Sequence, residues 1–233
     1  MVRKDELKKI TIAIDGPAAS GKSTTAKLVA HKLGYLHIDT GAMYRAITLK
    51  ALDEKIDLND KKEIVRLAQT STIRLEVKDS TTNVFLDGTE VTNRIRTQLV
   101  NRSVSTVSSY KGVRDVMVLE QQKMAVSGGV VLEGRDIGTV VLPGAELKIF
   151  MIASVEERAR RRKKDLAQVG IEANRDDLIK EIDARDQKDS TREASPLRKA
   201  PDAIELDTSN LTIEEQVDFI LRRAKEILRK NKS

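Results

Sequence analysis

At 233 residues, with 33% charged side chains and a formal net charge of +6, the chain is long enough to bury a core and favours anionic ligands. It has no cysteine, which excludes disulfides and thiolate metal sites and fits a reducing cytoplasm. Aromatics amount to 3%, too few for stacking platforms on single-stranded nucleic acid; no apolar run reaches membrane-spanning length, and residues 1–6 do not read as a signal peptide.

Residues 10–15, Ile-Thr-Ile-Ala-Ile-Asp, predict a buried β-branched strand. Gly16-Pro17-Ala18-Ala19-Ser20-Gly21-Lys22-Ser23-Thr24 follows and matches G-x-x-x-x-G-K-[ST], the phosphate-binding P-loop. Residues 24–33 carry Ala26, Val29, Ala30 and Leu33 at helical spacing, which completes the strand, loop and helix that the motif needs. Gly16 and Gly21 let the backbone turn its N–H groups toward phosphate oxygens, and the helix N-terminus adds partial positive charge. Lys22, expected to face solvent, would reach the β- and γ-phosphates of a nucleoside triphosphate, and the Ser23 hydroxyl would ligate Mg²⁺.

Gly34 is placed to end this helix. Residues 35–38 predict a strand, Asp39-Thr40-Gly41 a cap, and Met43, Ala46, Ile47, Leu49 and Ala51 one side of a second helix, with another over 61–69. Then the period changes. Residues 72–77 alternate with period two, 83–86 and 90–91 follow, and Asp79-Ser80 and Asp87-Gly88 signal turns, so a small antiparallel insert is expected. Helices resume over 100–107 and 112–126. Residues 129–133 and 147–152 read as buried strands, 154–192 as a basic helical stretch, 203–206 as a last strand and 213–228 as a closing helix with a frayed tail at 229–233. Strands alternating with helices imply a parallel sheet wound on both faces.

Four further constellations stand out, each with two readings. In Asp39-Thr40-Gly41-Ala42-Met43-Tyr44-Arg45, Thr40 and Arg45 face a second phosphate-bearing ligand, or the stretch is a helix cap followed by a solvated arginine. In Gly134-Arg135-Asp136-Ile137-Gly138-Thr139, Arg135 suits a bidentate phosphate contact and Asp136 can accept from an amino group, or the segment is a surface turn with a local ion pair. Just before it, Glu133 is the nearest acid able to act on Mg²⁺ through water, or a buried edge carboxylate. Arg158, Arg161 and Arg162 share one helical stripe, which is a solvated face or a lid over ATP. Arg185, Asp189 and Arg192 are spaced for one face of one helix, either ion-paired and exposed or reading a nucleotide.

Together with Ile95-Arg96-Thr97-Gln98, Val113-Arg114, Val140-Val141 and Lys148-Ile149-Phe150, these stretches resemble the bacterial-type cytidylate kinases, a branch of the nucleoside monophosphate (NMP) kinases, along nearly the whole chain in order. The resemblance implies an α/β P-loop fold of three layers: a mostly parallel central sheet in one domain over 1–233, an NMP-binding insert near 70–112 and a helical lid near 154–173. It gives residues 16–24 to ATP and Ser23 to Mg²⁺. Ser105, Arg114 and Asp136 would read cytosine, Arg185 and Asp189 would contact ribose, and Arg45, Arg135 and Arg192 would hold the acceptor phosphate, with Thr40 and Tyr44 also at the substrate. Lys22, Arg135, Arg158, Arg162 and Arg192 would serve catalysis. Thr40 stands where the family often has Ser, and Ser23-Thr24 where many members have Gly-Thr; both changes keep a hydroxyl.

The implied reaction is ATP + CMP giving ADP + CDP, with dCMP as a second acceptor, in a cytoplasmic monomer with no nucleic-acid or membrane partner. A different small-molecule P-loop kinase would not need the base-reading set, and a basic nucleic-acid-stimulated ATPase would show affinity falling steeply with salt. A GTPase is disfavoured because the chain has no N-K-x-D motif, and a transporter ATPase because Ser127-Gly128-Gly129 is only a fragment of that signature.

Overall fold

The computed structural model describes residues 9–78, 81–168 and 170–230. The expectations at residues 1–6, at the Asp79-Ser80 turn and at 231–233 lie outside these residues. Five parallel strands form the central sheet: β1 (Thr11–Asp15), β2 (Leu36–Asp39), β6 (Val130–Gly134), β7 (Leu147–Ile152) and β8 (Ile204–Asp207), in the order β2-β6-β1-β7-β8. Strands buried on both faces sort their side chains by period two. Ile12, Ile14 and Val131 pack with Ala26, Val29 and Ala30 of α1 (Lys22–Leu33) and with Val217 and Ile220 of α8 (Ile213–Lys230). Ala13, Val130 and Leu132 face the other way, onto Ile38, Ile137 and Val141. Truncating any of the large members to Ala would cost about 2–5 kcal/mol.

On that second side lie α2 (Thr40–Asp53), α3 (Lys61–Thr70), α4 (Gln98–Val107) and α5 (Lys111–Ala125), which share a core with the expected antiparallel sheet of β3 (Ile73–Lys78), β4 (Thr81–Leu86) and β5 (Thr89–Glu90). Local chemistry sets the helix starts. Asp39 accepts from the Ala42 N–H, Asp60 from Lys62 and Glu63, and Thr97 from Val100. Gly34, at φ 66°, closes α1.

Three expectations change. The basic stretch 154–192 is two helices, α6 (Val155–Gln168) and α7 (Arg175–Thr191), packed through Ala159, Leu178 and Ile182. Gly170 at φ 75° stops the first, and Asn174 caps the second by accepting from Asp176 and Asp177. Arg192 is therefore not on the α7 face with Arg185 and Asp189; it is the extended residue that ends the helix, with ψ 142°. Arg229 and Lys230 are the last turn of α8 rather than a frayed tail.

Candidate nucleotide-binding site

The strand register aligns the carboxyl ends of β1, β2 and β6, pairing Asp15 with Gly134 and Asp39 with Glu133. A cleft of about 840 Å³ opens over these ends, where open α/β sheets bind ligands. Its floor is the P-loop. Gly16 has φ 150°, and a Cβ built there would lie 2.1 Å from the Met151 carbonyl oxygen, so no side chain fits. Gly21, at φ 96°, leads directly into α1. Ala18, Ala19, Gly21, Lys22, Ser23 and Thr24 line the cleft, whereas Gly16, Pro17 and Ser20 lie behind it and shape the loop.

Lys22 is not solvent-facing. It is buried, and its Nζ donates to Pro17 O at 2.6 Å and approaches Ser20 Oγ at 3.3 Å. The physical reason is that Lys22 opens α1, and helical side chains lean toward the N-terminus, here back into the loop. Burial, with Arg135 next in importance, holds the ammonium well below the ordinary lysine range. Ser23 Oγ donates to Glu133 Oε2 at 2.6 Å. A hydroxyl and a carboxylate beside a phosphate loop are the hard oxygen donors that Mg²⁺ takes, so the residues fit that ion.

The opposite wall is cationic. Arg45 Nε donates to Asn101 Oδ1 at 3.2 Å, and Gly41 leaves it room, since a Cβ there would meet Arg45 Nη1 at 2.8 Å. Arg135 Nε donates to Asp189 Oδ2 at 2.9 Å. Burial, then Arg135 and Arg45, push Arg185 down to about 10, and its Nε is buried without a partner. Such mutual repulsion in a cleft is relieved by an anion. Deeper in, Arg114 forms a buried ion pair with Asp136, donates to Ser108 O at 3.1 Å and lies over the Tyr44 ring at 5.2 Å. Arg192 belongs to this inner group: its guanidinium is 3.9 Å from Asp136 and 3.8 Å from Asp189. Tyr44 Oη and Arg192 Nη2 are buried with no hydrogen-bond partner.

A family model described as cytidylate kinase matches residues 12–226. The chain belongs to the cytidylate kinase family. It is 52% identical over 219 residues to the cytidylate kinase of Bacillus subtilis (strain 168), covering 94% of this chain and 98% of that protein. It is 53% identical over 214 residues to that of Pediococcus pentosaceus, covering 92% and 95%. A crystal structure of a gluconokinase from Sinorhizobium meliloti 1021 superposes with TM-score 0.50 at 13% identity, covering 95% of each chain, which supports the P-loop kinase fold alone.

Within this cytidylate kinase fold the cleft collects Thr40, Tyr44, Arg45, Arg114, Arg135, Asp136, Arg162, Arg185, Asp189 and Arg192. Besides Gly16, Pro17 and Ser20 of the loop, the expected residues Arg158 and Ser105 stay outside it. Arg158 does not share the setting of Arg161 and Arg162, which are half-buried at the cleft: it is buried, donates to Ala153 O and Ala18 O, and pairs with Asp186. It sits in the first turn of α6, where the helix roots on the P-loop, so spacing alone misjudged its surroundings. Ser105 lies one residue from Val104, which lines the cleft, but its own hydroxyl is buried and unpartnered. Thr40 is on the floor, yet its hydroxyl donates to Glu133 O at 2.7 Å rather than standing free for a ligand. Nor is the segment after Asp136 a surface turn. It is a π-helical turn, Ile137–Val141, buried at Ile137, Gly138 and Val141, whose Ile137 and Gly138 N–H groups donate to Asp15 at 2.8 and 2.7 Å. Sequence reading missed Asp15 and His37 as parts of the site's frame, and Arg161, read there as one of the lid stripe, belongs to it too. Arg161 pairs with Glu157 and holds Thr208, which in turn donates to Ser20 O at 2.9 Å. The only signal for Asp15 was its position just before the P-loop.

Proposed function

We propose that the chain transfers the γ-phosphoryl group of ATP to CMP and dCMP, giving ADP with CDP or dCDP. What carries the reading is one continuous cleft in which a P-loop faces an arginine cluster that ends in the buried Arg114–Asp136 pair. Residues 16–24 hold the ATP phosphates. The acceptor phosphate meets Arg45, Arg135 and Arg185, the cations whose mutual repulsion supports an anion site there. Asp136 accepts from the cytosine amino group and Arg114 donates to its acceptors, with Tyr44 supplying an unpartnered hydroxyl from the cleft wall and Ser105 one from behind Val104. Arg192 stands with this base-reading group rather than at the phosphate, because Asp136 and Asp189 are its nearest carboxylates. Asp189 faces the ribose.

The nucleophile is an oxygen of the acceptor phosphate. A phosphate monoester has its second pKa near about 6, so it is largely ionised at neutral pH and no general base is required. The task is to bring two anions together and keep water out. Lys22 exchanges the Pro17 carbonyl for phosphate oxygens, and Arg135 and Arg162 neutralise charge as the phosphoryl group crosses. Ser23, and Glu133 through water, would hold Mg²⁺, which supplies charge neutralisation at the phosphates when bound. The α6–α7 arm, covering the lid expected near 154–173, closes over ATP, and the part of 70–112 that contributes Arg96, Asn101, Val104 and Ser108 to the cleft meets CMP. The same reading has the protein act as a cytoplasmic monomer without nucleic acid. Among the described residues no helix is long and apolar enough to cross a membrane. A coupled assay for ADP tests the proposal: release should require CMP or dCMP, and ATP turnover indifferent to CMP, or stimulated by DNA or RNA instead, would overturn it.

A further inference from the structure

His37 and Glu133 lie on neighbouring strands, β2 and β6, and both side chains are buried. His37 Nε2 is 3.0 Å from Glu133 Oε1. The other carboxylate oxygen, Oε2, receives the Ser23 hydroxyl at 2.6 Å, and the Glu133 carbonyl receives Thr40 at 2.7 Å. Because a carboxylate only accepts, Nε2 is the donor. His37 Nδ1 is buried and has no partner, so the tautomer that carries its proton on Nε2 leaves no N–H unsatisfied. Each oxygen of Glu133 is thus claimed by a different element, and a rotation of its carboxyl group would break two hydrogen bonds at once.

We propose that His37 is a positioning residue for the divalent cation: it pins Glu133 Oε1 so that Oε2 is presented to Ser23 and the ion between them and the nucleotide. This rests on the phosphoryl-transfer reading above and adds a residue to it that touches neither nucleotide. Partners of this kind, which orient a ligand without binding the metal, typically change metal affinity by about 10- to 100-fold when removed. A residue that merely fills a buried corner between two strands would change stability and leave metal affinity alone.

The test uses Mn²⁺ in place of Mg²⁺, with free Mn²⁺ counted by electron paramagnetic resonance as it binds the complex of the full chain with ADP. His37→Gln places an amide nitrogen where Nε2 was. His37→Asn carries the same amide but only reaches the Nδ1 position. The expected result is affinity within about twofold of wild type for Gln and about tenfold weaker for Asn, with ADP binding in EDTA the same in all three by calorimetry. Equal Mn²⁺ affinity in the two variants, whether both match wild type or both are weak, overturns the proposal. Glu133→Gln separates the levels. It should weaken Mn²⁺ at least as much as His37→Asn; no effect there brings down the metal assignment and this proposal with it, while the phosphoryl-transfer reading stands or falls on the CMP requirement.

Discussion

Asp136→Asn keeps the shape of the side chain and removes its charge. The pair it disrupts is among the most enclosed in the molecule, with the Arg114 and Asp136 side chains 3% and 5% exposed. Removing one member of a buried pair costs about 3–5 kcal/mol, because the other charge stays behind. Here the lower end applies. An asparagine oxygen still accepts from Arg114, Ser108 O remains at 3.1 Å and the Tyr44 ring at 5.2 Å. A loss of about 3 kcal/mol in urea unfolding is expected, equivalent to a melting temperature lower by about 6–12 °C for a chain of this size. In catalysis the variant loses a charge-assisted hydrogen bond to the cytosine amino group, about 1.5–3 kcal/mol, which is about 10- to 150-fold in kcat/KM for CMP. UMP should change far less, since the new amide can donate to the uracil carbonyl that the carboxylate repelled. The assay is kcat/KM for both pyrimidines, in wild type and variant, well below the variant's melting point. A CMP/UMP ratio that does not move in the folded variant, or equal use of CMP and UMP by the wild type, would refute the base-reading role.

Lys22→Met should lower kcat by about 10²- to 10³-fold while circular dichroism shows a folded chain, because it removes a buried charge whose hydrogen-bond partners are a neutral carbonyl and a hydroxyl; near-normal turnover would remove the P-loop from the mechanism. Arg158→Ala and Arg162→Ala should part company. Losing the half-buried Arg158–Asp186 pair should cost about 1.5–3 kcal/mol of stability, whereas Arg162→Ala should keep the melting temperature and the CMP dissociation constant and lower kcat; the reverse pattern would return Arg158 to the ligand and Arg162 to a solvated face. Burial lifts Asp15 to about 6 against the opposing Gly138 and Ile137 N–H groups. A carboxyl raised this way binds its proton more tightly in the folded state, so its favourable contribution is full below about 4 and is lost as pH rises to about 6, a span of about 3 kcal/mol. Wild type should therefore lose ground to Asp15→Asn across that window and run parallel above it, which chemical unfolding at several pH values would show or deny.

Hydrophobic period and turn chemistry carried most of the fold: β1, the P-loop and α1 are local in sequence, and so are the antiparallel strands with their Asp87-Gly88 turn. The break between α6 and α7 was harder to read, because charged residues are dense on both sides of it and no proline marks it; Gly170, at φ 75°, and the Asn174 cap make it. Within the site, motif residues such as Lys22, Arg135 and Asp136 announced themselves by type and spacing. Their protonation and partners did not. That Arg158 is internal and that Thr40 is tied to Glu133 depend on contacts made across the fold, with another helix and a strand end, and that Lys22 is dehydrated depends on how the loop folds back over it. His37 and Asp15 were invisible for the same reason: each acts on a segment roughly a hundred residues away, and nothing beside either one in sequence points there.

The resting position of Lys22 has a consequence for the order in which energy is committed. A cation that waited in water would have to shed its hydration shell as ATP arrived, and that cost would weaken nucleotide binding. This one shed it when the chain folded, and the Pro17 carbonyl and Ser20 hydroxyl keep it in place; in the proposed reaction phosphate oxygens would take over from them. Folding stability and nucleotide affinity are thereby set against each other at one atom: changes that let water reach Lys22 Nζ would make the empty protein more comfortable and ATP less welcome.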